Sequence, residues 1–380
     1  MRTVSDYLHA KASRGKVPLS GTFELSPVCN FACKMCYVRK TPEQIRKEGK
    51  SLTPWQRWLE LAKQCRDEGT LYLLLTGGEP FLYPGFRELY TQLHQMGFIL
   101  YINSNGTMID AETVAWLKQA APCRVNITLY GASPETYQRI CGYADGYHRA
   151  MNAIRMLQQA NIPVVINASM IPENAEDMEA IMQTGKELGL NTRVATYMFP
   201  PMRRDAEKAD SRFSPAESAA MYLRKLKCLY PAEKYCDFLK QQTKRTCNEE
   251  KDGEDWGQDT EYMRCRAGRS SFWINWEGVM TACGMLDFPM KTEPLRENFH
   301  DCWMRLTEAV RTTPVLRGCA GCDKRELCNP CVAMIYGETG TVDEKAQYMC
   351  QLSDHILEQM KNELEELQYE QETLQEEISG

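Results

Sequence analysis

Residues 21–36 read GTFELSPVCNFACKMC and divide into an extended run and a cysteine-rich loop. The run GTFELS (21–26) is typical of a β-strand. Directly after it come Cys29, Cys33 and Cys36, with no histidine nearby, and the next cysteine is Cys65. A closed zinc site needs four ligands, whereas an iron–sulfur cluster held by three thiolates keeps one iron open. The loop therefore indicates a metal site that serves chemistry rather than structure.

Composition excludes several classes of protein. The chain has 380 residues, of which 43% are hydrophobic and 25% charged, as in ordinary soluble domains. A net charge of −6 gives no basic field that would favour a nucleic-acid partner. No apolar run approaches the roughly 20 residues of a membrane-spanning helix, and the first residues lack the apolar segment of a secretory signal. We expect a cytoplasmic protein with no nucleic-acid or membrane partner.

Cysteine is the anomalous residue. There are 17 cysteines and only five histidines. Structural disulfides are rare in a reducing cytosol, so clustered cysteines indicate metal binding or catalysis. Thiolates without imidazole partners indicate zinc or iron–sulfur clusters.

Strand and helix patterns alternate through the first half of the chain. Six such units predict a parallel α/β fold, because each helix returns the chain to the next parallel strand. Six units are too few for an eight-fold barrel, and a curved partial barrel and an open doubly wound sheet both fit. The predicted strands are 21–26, 71–76, 98–103, 124–130, 163–170 and 192–198.

Four unusual loops directly follow predicted strands. They are the Cys29–Cys36 loop, TGGEP (76–80), NSNG (103–106) and LYG (129–131). In parallel α/β folds such loops meet at the carboxyl ends of the strands, where ligands bind. We expect them to form one site.

The pattern changes after about residue 200. A linker-like stretch and a helix precede a region in which cysteines recur from 247 to 350 with little periodic core. Bound metal would supply folding free energy to such a region. The acidic segment 355–379 predicts a terminal helix that docks one face on the body, with a coiled-coil or partner-binding role as the alternative.

The CX3CX2C loop after the first strand, with GGEP one β/α unit later, resembles the radical S-adenosylmethionine (radical SAM) superfamily. The resemblance implies a partial (β/α)6 TIM-like barrel in which Cys29, Cys33 and Cys36 ligate a 4Fe–4S cluster and SAM chelates its fourth iron. Reduction, implied to come from a flavodoxin- or ferredoxin-type donor, cleaves SAM to a 5′-deoxyadenosyl radical that abstracts hydrogen from the substrate.

The resemblance also implies contacts to SAM. The glycines of GGEP allow close backbone approach, and Glu79 can accept hydrogen bonds from an ammonium. Arg149 is the implied partner of the SAM carboxylate, with an exposed helix residue as the alternative. The implied SAM-binding residues are Gly77, Gly78, Glu79, Pro80, Ser104, Asn105, Thr128 and Arg149.

The C-terminal cysteines resemble the SPASM pattern of twin auxiliary clusters. Cys265, Gly278 and Cys283 match its opening, although CNPC has two residues where the family has three. The resemblance implies three 4Fe–4S clusters in all, and a zinc ribbon is the alternative for the CX2C pair. One auxiliary cluster would be bound by Cys319, Cys322, Cys328 and Cys350, and the other by Cys265, Cys283, Cys331 and Cys247. Cys236 or an open position is the alternative to Cys247.

These patterns divide the chain into five parts. We predict an N-terminal segment (1–20), a radical SAM partial barrel (21–200), a helical bridge (201–246), a SPASM domain (247–351) and an acidic terminal helix (352–380).

SPASM enzymes mostly modify peptides. Only 28 residues precede Cys29, too few for an N-terminal leader-binding domain, so we expect a separate leader-peptide-binding protein where a leader is used. Sulfatase-maturing relatives carry an aspartate where this chain has Gly284, which disfavours that activity, although Asp287 is close. We expect a radical SAM oxidoreductase that crosslinks a peptide through a carbon–carbon or thioether bond. Four alternatives stay open: a peptide epimerase with Cys141 as hydrogen donor, a sulfatase-type maturase, a small-metabolite dehydrogenase or decarboxylase, and a non-catalytic electron carrier.

Overall fold

The computed structural model describes residues 3–200, 211–245, 263, 265–314, 319, 322, 324–328 and 331–379. Within these ranges the chain forms eight strands and fourteen α-helices. The strands are β1 (Ser20–Glu24), β2 (Tyr72–Thr76), β3 (Ile99–Ser104), β4 (Arg124–Thr128), β5 (Val164–Ser169), β6 (Asn191–Ala195), β7 (Ser271–Ile274) and β8 (Met280–Thr281). They form one sheet in the order β6-β5-β4-β3-β2-β1-β7-β8.

Helices follow the strands as the alternating pattern predicts. The first half contains α1 (Val4–Arg14), α2 (Pro42–Lys47), α3 (Trp55–Asp67), α4 (Phe86–Gln95), α5 (Ala111–Gln119), α6 (Pro134–Cys141), α7 (Gly146–Gln159) and α8 (Met178–Glu187). The second half contains α9 (Pro215–Leu229), α10 (Ala232–Arg245), α11 (Phe299–Thr312), α12 (Arg325–Cys328), α13 (Val332–Thr339) and α14 (Gln347–Ser379).

The predicted α/β architecture is confirmed. Strands β1 to β6 pair in parallel with their neighbours. Their bounds lie within a few residues of the predicted ones. Two features were not predicted: α2 follows the cysteine loop, and two helices, α6 and α7, connect β4 to β5.

The sheet curves around its polar face. Residues from each of β1 to β7 line one cavity of about 510 Å³. Seven strands laid flat would span roughly 29 Å, far more than such a cavity, so the strands must wrap around it. The opposite face is apolar and covered by helices, with Phe23, Leu75, Ile102, Ile127 and Ile166 fully buried.

The C-terminal region continues this sheet. Strand β7 pairs in parallel with β1, placing Ser271 beside Ser20. Gly21 makes this possible, because a Cβ there would lie 2.3 Å from the ring of Phe272. Phe272 in turn packs on Phe299 and Trp303 of α11. The two halves of the chain therefore share one core.

Helix α1 closes the amino-terminal end of the strands. His9 Nδ1 lies 2.9 Å from Ser270 Oγ, and Asp6 pairs with Arg266 at 2.5 Å. The indole of Trp303 donates to the carbonyl of Lys16 just beyond the helix.

The terminal helix α14 begins at Gln347, before the predicted boundary at 352, so Cys350 lies inside it. Its first half docks on α9: Leu352, Ile356 and Met360 are buried in one cluster with Ala219 and Leu223. None of the helices in the described ranges has the length and apolarity to span a membrane.

Leu75 should be a main contributor to stability. Replacing this buried leucine of β2 by alanine removes packed methyl groups and leaves a cavity, which should lower the free energy of unfolding by about 2–5 kcal/mol. The control is Leu229→Ala at a position that is 54% exposed, expected to change it by under about 0.5 kcal/mol. Urea unfolding of the two variants, with equal losses as the contradicting result, tests the assignment of the core.

Candidate active site at the carboxyl ends of the strands

The cysteine loop and the GGEP loop are joined through their backbones. Gly78 N–H donates to the carbonyl of Ser26 at 2.7 Å, and Glu79 N–H donates to that of Val28 at 2.9 Å. A Cβ on Gly77 would lie 2.4 Å from the Ser26 oxygen, and one on Gly78 would lie 2.4 Å from the Val28 oxygen. Gly77 also has a φ of +151°, which side chains rarely adopt. The absence of side chains at Gly77 and Gly78 therefore allows the backbone of residues 26–28, which leads into Cys29, to pack directly against this loop.

Glu79 links the second loop to the third. Its carboxylate is fully buried and accepts from Ser104 Oγ at 2.9 Å, from the Asn105 N–H at 2.8 Å and from the Phe81 N–H at 3.2 Å. Pro80 begins the short 3-10 turn Pro80–Leu82 that follows. Burial raises the pKa of Glu79 to about 7, although these donors act in the opposite direction.

Asn105 links the third loop back to the first. Its Nδ2 donates to Asn30 Oδ1 at 2.9 Å and lies 3.7 Å from Cys29 Sγ. Asn30 Nδ2 donates to Thr107 Oγ1 at 2.7 Å. Sequence reasoning missed Asn30, which lies inside the cysteine loop, and Thr107, which directly follows NSNG (103–106). Three of the four loops thus form one hydrogen-bonded unit, as their positions after parallel strands predicted.

The three thiols of the cysteine loop lie close to one another. Cys29, Cys33 and Cys36 interact electrostatically, and burial raises the pKa of Cys29 to about 12. The described ranges contain no group of three His, Cys, Asp or Glu side chains placed to hold a single metal ion. An all-thiol donor set without imidazole fits an iron–sulfur cluster in its chemistry.

Aromatic rings surround these thiols. Phe31 packs edge-on against Tyr130 at 5.7 Å and Tyr137 at 6.1 Å, and all three rings are largely buried. Tyr130, in the LYG loop, interacts with the thiols of Cys33 and Cys29, so the fourth loop also reaches the site. Its role was not predicted, because an aromatic residue in a loop gives no specific signal.

Cys141 lies deeper than the sequence suggested. It ends α6, is 1% exposed, and its Sγ lies 3.6 Å from that of Cys33. The hydrogen bond between the two thiols, together with burial, raises the pKa of Cys33. A thiol packed against a cluster ligand is poorly placed to reach a substrate.

Two further SAM-binding candidates have different surroundings. Thr128 ends β4 and pairs in register with Asn167, close to the loops. Arg149 lies on the exposed face of α7, where its Nε contacts Asp145 at 2.5 Å. The structure therefore gives Arg149 a partner on its own helix, and its assignment to the SAM carboxylate stays a prediction.

Several C-terminal cysteines that the resemblance assigns to auxiliary clusters lie near one another, and their assignment to clusters stays a prediction. Cys328 interacts electrostatically with the other three members of its predicted quartet, Cys319, Cys322 and Cys350. Cys265 interacts in the same way with Cys331. Cys283 lines the concave cavity. Cys247 lies outside the described residues, and its alternative, Cys236, is buried in α10.

The surroundings of Cys283 bear on the sulfatase-type alternative. A Cβ on Gly284 would lie 2.7 Å from the ring of Trp273, whose indole donates to buried Glu24 at 3.2 Å. Asp287 pairs with Lys291 at 2.7 Å, which lowers the pKa of that carboxyl. Glu24 was missed by sequence reasoning, although its place at the end of the first strand was a usable signal.

Ionisation of Glu79 should appear in the pH dependence of stability. The pKa of about 7 in the folded state exceeds the ordinary value of 4.5, so its stabilising effect is complete below pH 4.5 and is lost as pH rises through 7. Between about pH 5 and pH 8, the free energy of unfolding of the cluster-free protein should fall by about 3 kcal/mol more than that of Glu79→Gln. Parallel slopes from urea titrations of the two proteins would contradict this ionisation.

The amino-acid sequence of this chain is similar to a known family and to several characterised proteins. The model of the Radical SAM superfamily matches residues 23–185. The AdoMet-dependent heme synthase of Methanosarcina barkeri is 26% identical over 86% of this chain and 94% of its own length. The sporulation killing factor maturation protein SkfB of Bacillus subtilis is 28% identical over 46% of this chain, which spans only 42% of SkfB.

A solved structure supports the same fold. Streptococcus suis SuiB bound to its precursor peptide SuiA superposes with a TM-score of 0.64 at 18% identity, covering 91% of this chain and 80% of SuiB. The CX3CX2C loop, GGEP and the curved parallel sheet all lie within or beside the matched range. Residues 23–185 of the chain are therefore a radical SAM domain.

Proposed function

We propose that this radical SAM enzyme cleaves SAM reductively and removes a hydrogen atom from a peptide side chain, leading to an oxidative carbon–carbon or thioether crosslink. The observation that carries the proposal is the hydrogen-bonded unit of loops that holds Cys29, beside the thiols of Cys33 and Cys36, at the carboxyl ends of the strands. When bound, the 4Fe–4S cluster and SAM supply the electron and the radical.

The residues of the chain have distinct tasks in this proposal. Cys29, Cys33 and Cys36 would hold the cluster. Glu79 and Asn105 would fix the loops that contact SAM, because their side chains already bind neighbouring loops. Phe31 and the tyrosines beside it would exclude water from the thiols.

Two comparisons support a peptide as substrate. SuiB was solved with a precursor peptide, and SkfB is named for the maturation of a killing factor. We propose that a flavodoxin- or ferredoxin-type protein supplies the electron for cleavage of SAM, and that a separate protein presents any leader. The first hydrogen of the substrate would leave as an atom to the 5′-deoxyadenosyl radical, and the second as a proton and an electron, which auxiliary clusters on the C-terminal cysteines would accept. The quartet around Cys328 supports one auxiliary cluster.

A second candidate is the modification of a carboxylated small metabolite of the tetrapyrrole class. It is favoured by the heme synthase, whose similarity extends over 86% of this chain, whereas similarity to SkfB covers 46%. A dehydrogenation or decarboxylation of such a metabolite would use the same SAM-cleaving site.

Metal content tests the assignment of the cysteines. Anaerobically reconstituted protein should hold about 12 iron and 12 sulfide per chain, and replacing Cys29, Cys33 and Cys36 together by alanine should remove about four of each. With dithionite and SAM, the wild type should release 5′-deoxyadenosine and the triple variant none. Cys123→Ala, at an exposed cysteine, is the control and should match the wild type. Stoichiometric zinc with a single cluster would refute the three-cluster assignment.

Product mass separates the candidate reactions. A crosslinked peptide should be about two mass units lighter than its precursor, with one 5′-deoxyadenosine formed per bond, because two hydrogens leave. Mass spectrometry of a candidate precursor peptide measures the first quantity, and chromatography of the reaction mixture measures the 5′-deoxyadenosine. An unchanged mass with one deuterium gained from heavy water would indicate epimerisation. Turnover of a carboxylated porphyrin with loss of carboxyl groups, and none of peptides, would select the second candidate.

A further inference from the structure

The cavity on the concave face is lined by the same strands whose carboxyl ends lead into the candidate active-site loops. Asn103 in its wall precedes Ser104, and Asn126 lies two residues before Thr128. Among the described residues that line it are three arginines, Arg124, Arg193 and Arg266, and neither an aspartate nor a glutamate. A cavity with this excess of positive charge is complementary to an anionic ligand.

The side chain of Arg124 is fixed by a hydrogen bond at Nε, and its two terminal nitrogens lack a hydrogen-bond partner among the described residues. Its Nε donates to Asn126 Oδ1 at 2.8 Å, and Asn126 Nδ2 donates to Asn103 Oδ1 at 2.7 Å. The guanidinium also lies 5.1 Å from the centre of the Tyr101 ring. Within the described part of the chain, its two terminal nitrogens have neither a hydrogen bond nor an ion pair. A guanidinium fixed at Nε presents these nitrogens as a ready fork for a carboxylate.

Arg193 provides a second positive charge, closer than Arg124 to the carboxyl ends of the strands. It lies on β6 beside Asn167, which pairs in turn with Thr128, so Arg193 is level with the carboxyl end of β4. It has no carboxylate partner in the described ranges. Arg266, by contrast, is paired with Asp6 at 2.5 Å. The two lining arginines without an ion pair in the described ranges are therefore Arg124, which is half-buried, and Arg193, which is exposed on the edge strand β6.

The register sets the span between these two arginines. Arg193 lies two strands from Arg124 and four residues further along the strand direction. By ordinary sheet spacing this corresponds to roughly 16 Å between their backbones. The long arginine side chains and the curvature of the sheet can close part of this distance, so a ligand that meets both arginines needs two separate anionic groups rather than one fixed length.

We propose that this cavity binds the substrate through two carboxylate groups, one at Arg124 near its amino-terminal end and one at Arg193 near the active site. The assignment rests on the proposed function and names the substrate class: an acidic peptide or a polycarboxylated small molecule. Carboxylates are the anionic groups that the two candidate substrates share. Bidentate pairing would give both arginines an anionic partner, in a cavity whose other polar lining consists of amides, hydroxyls, His9 and the ion-paired Arg266.

Matched pairs of probes test the carboxylate requirement. One pair is a 14-residue peptide with four glutamates and its all-glutamine counterpart, and the other is coproporphyrin and its tetramethyl ester. Calorimetry on the reconstituted full-length protein with SAM should show that the carboxylated member of at least one pair binds tenfold or more tightly than its neutral counterpart. The pair that shows the preference identifies the source of the carboxylates.

Variants test whether the two arginines carry that preference. Arg124→Gln and Arg193→Gln should each weaken the carboxylated probe about tenfold, and the double variant should bind both members of a pair alike. Arg155→Gln, at an exposed arginine on α7, is the control and should retain the preference. Equal binding of both members by the wild type, or an intact preference in the double variant, would overturn the proposal. So would displacement of the probe by inorganic phosphate at a lower concentration than by free glutamate.

A second readout separates this inference from the proposed function. Substrate-free release of 5′-deoxyadenosine and iron content should remain within about twofold of wild type in Arg124→Gln and Arg193→Gln, because neither residue belongs to the loops that hold the thiols. A wild type that fails to cleave SAM would refute the proposed function while leaving the binding result interpretable. Variants that lose iron together with binding would show that these arginines serve folding, and would overturn the inference.

Discussion

The buried carboxylate of Glu79 is the interaction on which the site depends. Removing a carboxylate from water is costly unless donors surround it, and here Ser104, Asn105 and Phe81 supply them. Phe81 belongs to the same loop as Glu79, whereas Ser104 and Asn105 belong to the next loop. The desolvation cost of the carboxylate can therefore be offset only when both loops are correctly placed. Gly77 and Gly78 add the first loop through backbone contacts that tolerate no side chain. The position of the cysteine loop thus depends on the Glu79 carboxylate, although that carboxylate makes no hydrogen bond to any of the three thiols.

The second constraint is the continuation of the sheet across the chain. Strand β7 joins the edge of β1 through the space left by Gly21, and the aromatic residues of α11 lock it there. As a result Cys283 and Trp273 line the same cavity as the strands of the radical SAM domain. An electron acceptor at the C-terminal cysteines would then be near a substrate in the cavity. Ordinary strand pairing accounts for this arrangement.

The alternation of side chains along the strands divides the sheet into two environments. One face is apolar and packs beneath the helices, whereas the other presents asparagines, tyrosines and arginines to the cavity. A period of two makes this division automatic once the helices cover one face. In Arg124, Asn126 and Asn103 the polar face forms a hydrogen-bonded row, so the cavity wall is ordered before any ligand arrives.

The sequence by itself determined the six parallel strands and the four loops at their carboxyl ends. These follow from local signals: hydrophobic periodicity, glycine and proline positions, and cysteine spacing. Polar residues also alternate with apolar ones in strands such as FILYINS and RVNIT, and this pattern could have predicted the polar face of the sheet. Only the tertiary structure decided that Glu79 binds the neighbouring loop, that Arg149 turns to Asp145, that Cys141 packs on Cys33, and that β7 extends the sheet. Each of these depends on contacts between residues distant along the chain or on the direction of a side chain, and neither quantity is encoded in a local pattern.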